Sequence, residues 1–596
     1  MRNVVETKAL VDVALGVVAA DMVIRGGNLV NVFTGEIYAA DIFIKGPRIA
    51  ATGDGEYLVD DDTVVIDASG QYVAPGYIDP HVHLESSAVS VTEFAGAVVP
   101  LGVTTIAEDP HEIANVLGIR SIELLLEEAA GTPLNLLLRV PGRVPGTTPE
   151  LETTGGRISL EETKELLNWQ EAVCLAGDIN PNLLLQKDET QLEKIVYATG
   201  IKKTVAGQSP GLSGGALNAF IAAGPEDSHV SRDVDEIVDI VRHGMRALIT
   251  HRPQLFGEAD YPQLAAALEE KGLNTRMLVF CTDDIHPEII AEQGHLDERL
   301  RLAVAGGLDP VVAIQMATLN AAEYLRIDRD SGSIAPGKVA DIVILDDLSS
   351  FRPNKVLSRG KLVAENGRLL QEPDSFPYPE WAKNTIHLAR PVTADDFQIP
   401  APGAANQVVT ARALRVGMPK EEVITQLAVR DGVVRPDPAQ DILSIAVLDR
   451  HQASGRIGNG FISGTGITQG AFASSVSHDA HNIFVVGGNY EDMALAVNSL
   501  AELGGGHVAV RDGEVLAQVS LPIAGLMSEE PFADVAAQFA EFVEVLVEEL
   551  GCGIRPQPLY DLNFVCLPNL PHLAITDRGF INSDVLVIVP LLLEEV

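Results

Sequence analysis

The chain has few cysteines, few basic residues and no long uninterrupted apolar run, and each shortage removes a class of protein. Its four cysteines, Cys174, Cys281, Cys552 and Cys566, are scattered without a C-x-x-C pair, which fits reduced thiols in an intracellular protein rather than a disulfide framework. Lys and Arg number 42 against 83 Asp and Glu, for a net charge of -41. Surfaces that bind nucleic acid or anionic lipid need clustered Lys and Arg, so neither is an expected partner. No stretch reaches the roughly 18 apolar residues that span a bilayer as a helix. The segment from Met1 to Asp21 carries Glu6, Asp12 and Asp21, and so lacks the basic head and apolar core of a signal peptide. The cytoplasm is the expected location. There is also no internal repeat and no low-complexity tract.

What is present is ample apolar material, 46% hydrophobic over 596 residues, too long for one core and consistent with two to four domains. Val4 to Val18 reads as an amphipathic helix, placing an N-terminal helix over 1–20. Short strands broken by Gly-rich turns follow over 21–75, and strands return over 332–390, so these two segments are expected to form one discontinuous β-domain. Between them, over 76–331, apolar runs such as Val103-Thr-Thr-Ile, Leu134-Asn-Leu-Leu-Leu, Val173-Cys-Leu-Ala, Thr204-Val-Ala, Ala247-Leu-Ile and Met277-Leu-Val-Phe alternate with helical patterns. That alternation predicts a parallel sheet covered by helices, closed into a (β/α)8-type barrel. Proline-containing segments from Glu372 to Pro379, at Pro391 and at Pro400-Ala-Pro read as a linker to a third domain over 400–596.

The chemistry gathers at His81-Val82-His83, where the short apolar strand beginning near Pro75-Gly76 ends. Successive strand side chains face opposite ways, so the two imidazoles project together while Val82 turns into the packing behind them. Two imidazoles on one side can share a zinc, iron or manganese ion, and three protein ligands with an open position acidify a bound water. In barrels of this kind chemistry sits where strands end. His81, His83, Asp109, His111 and Asp283 all fall there. By itself H-x-H also fits two unrelated histidines, a lone Asp such as Asp283 also fits a turn, and Asp284 reads as a helix cap.

The run Ala74-Pro-Gly-Tyr-Ile-Asp-Pro-His-Val-His83 and the return Gly332-Ser-Ile-Ala-Pro-Gly-Lys-Val-Ala-Asp341 resemble the amidohydrolase superfamily. Thr104-Thr-Ile-Ala-Glu-Asp-Pro-His-Glu-Ile113, Ser209-Pro-Gly-Leu-Ser-Gly-Gly215, Leu278-Val-Phe-Cys-Thr-Asp-Asp284 and Phe472-Ala-Ser-Ser-Val-Ser-His-Asp-Ala-His-Asn482 are similar to stretches of adenine deaminases. The resemblance implies an α/β fold: an amidohydrolase barrel, a discontinuous small β-sandwich domain and a C-terminal α+β domain. It implies hydrolysis of adenine to hypoxanthine and ammonia by a cytoplasmic homo-oligomer, with a dimer expected, that uses manganese, iron or zinc. Metal ligands carried over are His81, His83, His229 and Asp283, with Asp283 and His111 as proton carriers and Asp109 lining the pocket. His478, Asp479 and His481 contribute from the C-terminal domain, closing over the pocket, binding a further metal or forming a hydrogen-bonded structural cluster.

Four positions depart from that resemblance. Gly177 stands where a bridging glutamate is expected, with Asp178 able to replace it only through a strand bulge. Gln208 stands for a second-metal histidine, Glu108 for a tryptophan, and Gly142-Arg143 for a Ser-Cys pair. These changes predict one metal per chain rather than two, and they place Glu108, Arg143 and Gln208 against the substrate. An Arg143–Glu108 ion pair in the pocket would favour a charged heterocycle. Cyclic-amide hydrolysis and purine binding without turnover are the remaining alternatives.

Overall fold

The computed structural model describes residues 3–177, 181–250, 256–401 and 407–593. The chain opens with the helix Val4–Ala14, started by a capping box in which the Asn3 side chain accepts from the Glu6 N–H and Glu6 accepts from the Asn3 N–H. The apolar pattern predicts a helix to Val18, but the helix stops at Ala14. Gly16 then takes φ 69°, a left-handed geometry that ends helices readily when no Cβ opposes it.

Two small sheets follow. One runs Arg48–Thr52, Ile42–Lys45, Met22–Arg25 and Val64–Asp67; the other has seven strands and carries Tyr72–Pro75 beside Ile342–Leu345. Those two neighbours are antiparallel, with Pro75 opposite Ile342 and Tyr72 opposite Leu345. They join the chain entering the barrel to the chain leaving it. Ile24, Ile42 and Ile44 from one sheet meet Val73, Ile342 and Ile344 from the other in a single buried cluster.

The barrel strands are Tyr77–Val82, Val103–Glu108, Asn135–Val140, Ala172–Leu175 and Thr204–Val205 in one parallel sheet, then Asp227–Ser228, Arg246–Ile249 and Leu278–Phe280 in another. The Glu226 N–H donating to the Val205 carbonyl at 2.8 Å links the two sheets on one side. On the other, the Asp283 N–H donates to the His81 carbonyl at 2.9 Å and the His83 N–H to the Asp283 carbonyl at 3.1 Å. The barrel therefore closes at the H-x-H strand. Asp227–Ser228, only two residues long, has no apolar run to announce it, and it puts His229 at a strand end instead of in a surface loop.

The C-terminal part is built on an eleven-stranded sheet with the helices Tyr490–Leu503 and Phe532–Glu548 against it. It is seated on the barrel mouth. Ser90 N–H donates to the Ser528 carbonyl and Ser528 N–H to the Ala88 carbonyl, both at 2.9 Å. Thr153 donates through its hydroxyl to Asp577 at 2.6 Å. Phe94 and Leu125 of the barrel share one buried cluster with Met527, Phe539 and Phe542. The segment read as a linker is tied down as well: Tyr378 and Ala382 are buried, the His387 N–H reaches the Arg450 carbonyl at 2.8 Å, and Phe397 packs in the C-terminal core. Among the described residues, no helix is long and apolar enough to cross a membrane.

Candidate active site

The strand Tyr77–Val82 is buried along its whole length, and its end is fixed from below by Asp79. That carboxylate accepts from the His81 N–H at 3.2 Å and from the Thr282 hydroxyl at 2.6 Å. Closure of the barrel then brings Asp283 between the two histidines. Its Oδ1 lies 3.2 Å from His81 Nε2 and 3.2 Å from His83 Nε2, and its Oδ2 lies 3.8 Å from His229 Nε2. Asp283 holds φ 60°, a region sparsely used by residues with a Cβ and common at functional sites.

The two imidazoles are prepared differently. His83 donates through Nδ1 to the Asp109 carbonyl at 2.9 Å; burial would lower it, but the Asp283 carboxylate facing Nε2 raises the ring to about 10, so a cation held there would take the place of the Nε2 proton. His81 is 2% exposed, and neither ring nitrogen has a hydrogen bond even though Asp283 is so near. Burial, with the Arg139 charge behind it, pushes His81 well below the usual histidine range, so the ring is neutral. Buried polar groups are normally satisfied. Nitrogen and carboxylate lone pairs that converge within 3.2 Å without a proton between them suit a cation. His81, His229 and Asp283 form one potential ligand group, and His83 with Asp283 and Asp284 another.

A second polar group sits beside the first. His111 Nδ1 is 3.2 Å from Asp109 Oδ1, and its Nε2 is 3.2 Å from Glu112 Oε1 and 3.6 Å from Asp479 Oδ1. Burial alone would pull His111 down, but Glu112 and Asp109 hold it well above the usual range. Burial likewise would raise Glu112, and His478, His481 and His111 overcome it and hold that carboxyl well below its usual range. His478 Nδ1 meets Glu112 Oε1 at 2.5 Å and His481 Nε2 touches Glu112 Oε2. The Ser477 N–H donates to His481 Nδ1 at 3.2 Å, so the neutral ring carries its proton on Nε2, towards Glu112. The C-terminal histidines therefore close as a clamp on a barrel carboxylate: His478 is hydrogen-bonded to Glu112, whereas His481 Nε2 and Glu112 Oε2 have no hydrogen-bond partner, and Glu112, His478 and His481 form a further potential ligand group.

A cavity lies between the two halves, with Glu85, Ser86, Asp284 and His286 on the barrel side and His478, His507, Tyr560 and Asn563 on the other. The amidohydrolase family matches residues 72–363, and the adenine deaminase C-terminal domain matches residues 418–585. The chain is 40% identical to an adenine deaminase of Clostridium botulinum (Type A), over 99% of this chain and 98% of that protein. It is 40% identical to adenine deaminase 3 of Rhizobium meliloti, over 96% of each chain. The adenine deaminase of Moorella thermoacetica is also 40% identical, over 97% of this chain and 96% of the other.

The chain belongs to the adenine deaminase family.

Within the adenine deaminase fold, the four departures have physical settings. Gly177 is packed against Gly207: a Cβ at 177 would lie 3.0 Å from the Gly207 nitrogen and 3.2 Å from its carbonyl oxygen. Asp178 lies outside the described residues. Gln208 is half-buried beyond the fifth barrel strand. Glu108 is fully buried, accepts from the Leu84 N–H at 3.0 Å, and shares a hydrogen bond with the Glu85 carboxyl. Burial and the Glu85 charge raise it well above the usual carboxylate range. The expected Arg143–Glu108 pair is not formed among the described residues, because Glu108 points into the first strand's turn while Arg143 acts on Glu152 and Asp479. Asp284 is not a helix cap either: it accepts from the Ser86 hydroxyl at 2.5 Å, and the next helix starts after His286. Glu112, the hub of the clamp, was not singled out in the sequence, although its place in D-P-H-E next to His111 was the available signal.

Proposed function

We propose that the chain deaminates adenine, replacing the exocyclic amine at C6 by oxygen and releasing hypoxanthine and ammonia. The observation that carries this reading is Asp283 set 3.2 Å from both His81 and His83, with the His81 nitrogens unsatisfied at the mouth of the barrel. The relatives described as adenine deaminases support the choice of substrate. His81, His83 and Asp283, with His229 near the second Asp283 oxygen, would hold one divalent cation, manganese, iron or zinc. Such a cation, when bound, acidifies water at neutral pH.

The chain's own groups then handle the protons. Asp283 is placed to take a proton from the attacking water through Oδ2. His111, held protonated between Asp109 and Glu112, is placed to give one to the leaving nitrogen, which departs as ammonia once the C–N bond breaks. The Glu112–His478 contact seats the C-terminal domain over the mouth and keeps bulk water from the reacting base. A homodimer in the cytoplasm belongs to the same reading, in keeping with four buried free cysteines.

The test is ammonia release from adenine by protein loaded with manganese, iron(II) or zinc, beside Asp283→Asn and His111→Asn. Turnover in the loaded protein and its loss in both variants is the expected result. No ammonia from adenine with any of the three metals, while purine still binds, would replace this reading by binding without chemistry.

A further inference from the structure

The first barrel strand is irregular where its histidines begin. Asp79 pairs with Ile106 and Val82 with Glu108, three steps along one strand against two along its neighbour, which is the mark of a bulge, a device that re-aims side chains beside a site. The bulge holds Pro80 and His81. The Pro80 carbonyl accepts from Arg139 Nη1 at 2.6 Å. Arg139 stands on the third strand, at a register shift of its own, and is 0% exposed. Its guanidinium also meets the supports of the other site residues. Nε is 3.9 Å from Asp109 Oδ2, and Asp109 orients His83 through its carbonyl and His111 through Oδ1. Nη1 reaches the Tyr324 hydroxyl at 3.4 Å, and that hydroxyl donates at 2.5 Å to Oδ2 of Asp227, two residues before His229. Nε and Nη2 have no hydrogen-bond partner. A charge buried with donors unmet costs stability. That cost marks a group kept for the site rather than for the fold.

We propose that Arg139 is a positioning residue of the deaminase, its guanidinium pinning the Pro80–His81 bulge and bracing Asp109 so that His81 and His83 converge on one cation. This rests on the metal-dependent adenine reading of the same site. The two contacts leave from Nη1 and Nε of one rigid plane, so the ends of the first and second strands are tied to a single body. A lysine ammonium is one point on a flexible stem and cannot serve both. Partners of this kind behind metal ligands are worth about 10–100-fold in metal affinity or activity. The charge alone would act the other way, because a fixed cation repels a bound one. The sign of the effect on metal affinity therefore separates positioning from plain electrostatics.

The experiment compares the wild type with Arg139→Met and Arg139→Lys in three readouts: manganese and cobalt(II) affinity by competition with a chelator, the visible spectrum of the cobalt(II) form, and kcat and KM for adenine. Arg139→Met should bind the metal about 10–100-fold more weakly and show a changed cobalt spectrum, and Arg139→Lys should recover part of the affinity. In both variants kcat should fall while KM for adenine holds, because Arg139 is fully buried behind the ligands and supports them rather than the substrate. Unchanged or tighter metal binding in Arg139→Met overturns the inference, and so does an unaltered cobalt spectrum or a rise in KM with kcat kept. If Arg139→Met does not fold, Arg139→Lys decides: weaker binding with a changed spectrum supports the inference, and wild-type affinity and spectrum overturn it. If adenine is not turned over by the wild type, the adenine reading has failed, and the affinity and cobalt readouts, which need no substrate, still decide this one.

Discussion

Glu112 Oε1 lies 2.5 Å from His478 Nδ1, although the two residues are separated by 366 positions and sit in different domains. Both are buried, and Glu112 also touches His481 and His111. Removing the charge of a buried ion pair leaves its partners uncompensated, at a cost of about 3–5 kcal/mol. Glu112→Gln should therefore lower the melting temperature and reduce kcat, while the barrel metal stays bound. A variant with wild-type melting and wild-type kcat would show that the clamp neither holds the domain nor serves the reaction.

His81→Ala should remove the barrel metal and all ammonia release without unfolding the protein, because the barrel core is made by Ile78, Val82 and their neighbours rather than by that ring. His229→Ala, acting at 3.8 Å from Asp283, should weaken metal retention without abolishing it. Elemental analysis before and after dialysis reads both. Full metal occupancy in His81→Ala would show that the cluster is not the metal site.

The sequence made the first barrel strand and its two histidines legible because a buried strand has a period of two and a turn before it. Asp283 was legible as a strand-end carboxylate. Legibility failed wherever the decisive partner is distant in the chain. Nothing local in Glu108 says that it meets Glu85 instead of Arg143, since that outcome depends on where the first strand's turn puts the Leu84 N–H. The strand Asp227–Ser228 is too short to show periodicity. Glu112 looks like an ordinary helix-start acid until His478 and His481 arrive from the C-terminal domain.

Stability should depend on pH through Glu152, which is buried 3% exposed where Arg143 and Asp479 meet it. Burial is the main cause that raises its carboxyl to about 7, from an ordinary value of 4.5. Between those values the folded chain holds a proton that the unfolded chain has lost. The contribution is thus fully present below about pH 4.5 and is lost as pH rises towards about 7, a span worth roughly 3 kcal/mol. Glu152→Gln, which keeps the size and cannot ionise, should flatten this part of the profile. Urea midpoints at about pH 5 and about pH 7.5 test it, and an equal pH dependence in both proteins would count against the assignment.

The departures at Gly177 and Gln208 invite the idea that restoring Glu and His would add a second metal and more activity. The packing argues the opposite for Gly177. A Cβ there comes 3.0 Å from the Gly207 nitrogen, 3.2 Å from its carbonyl oxygen and 3.3 Å from the Ala206 carbonyl carbon. All three are backbone atoms at the end of the neighbouring strand, so none can swing aside as a flexible side chain would. Gly207 is itself confined, its N–H bonded to Asp227 at 3.4 Å. Gly177→Glu should therefore destabilise the chain by about 1–3 kcal/mol, the usual cost of overpacking. Pairing it with Gln208→His should not recover that loss, because the strain lies in the backbone contact and not in the missing ligand. Metal content and ammonia release should stay at or below the wild-type level in the double variant. A second equivalent of metal bound with rising kcat would mean that the Gly177–Gly207 contact gives way at little cost, and that the barrel has room for the ligand it lacks.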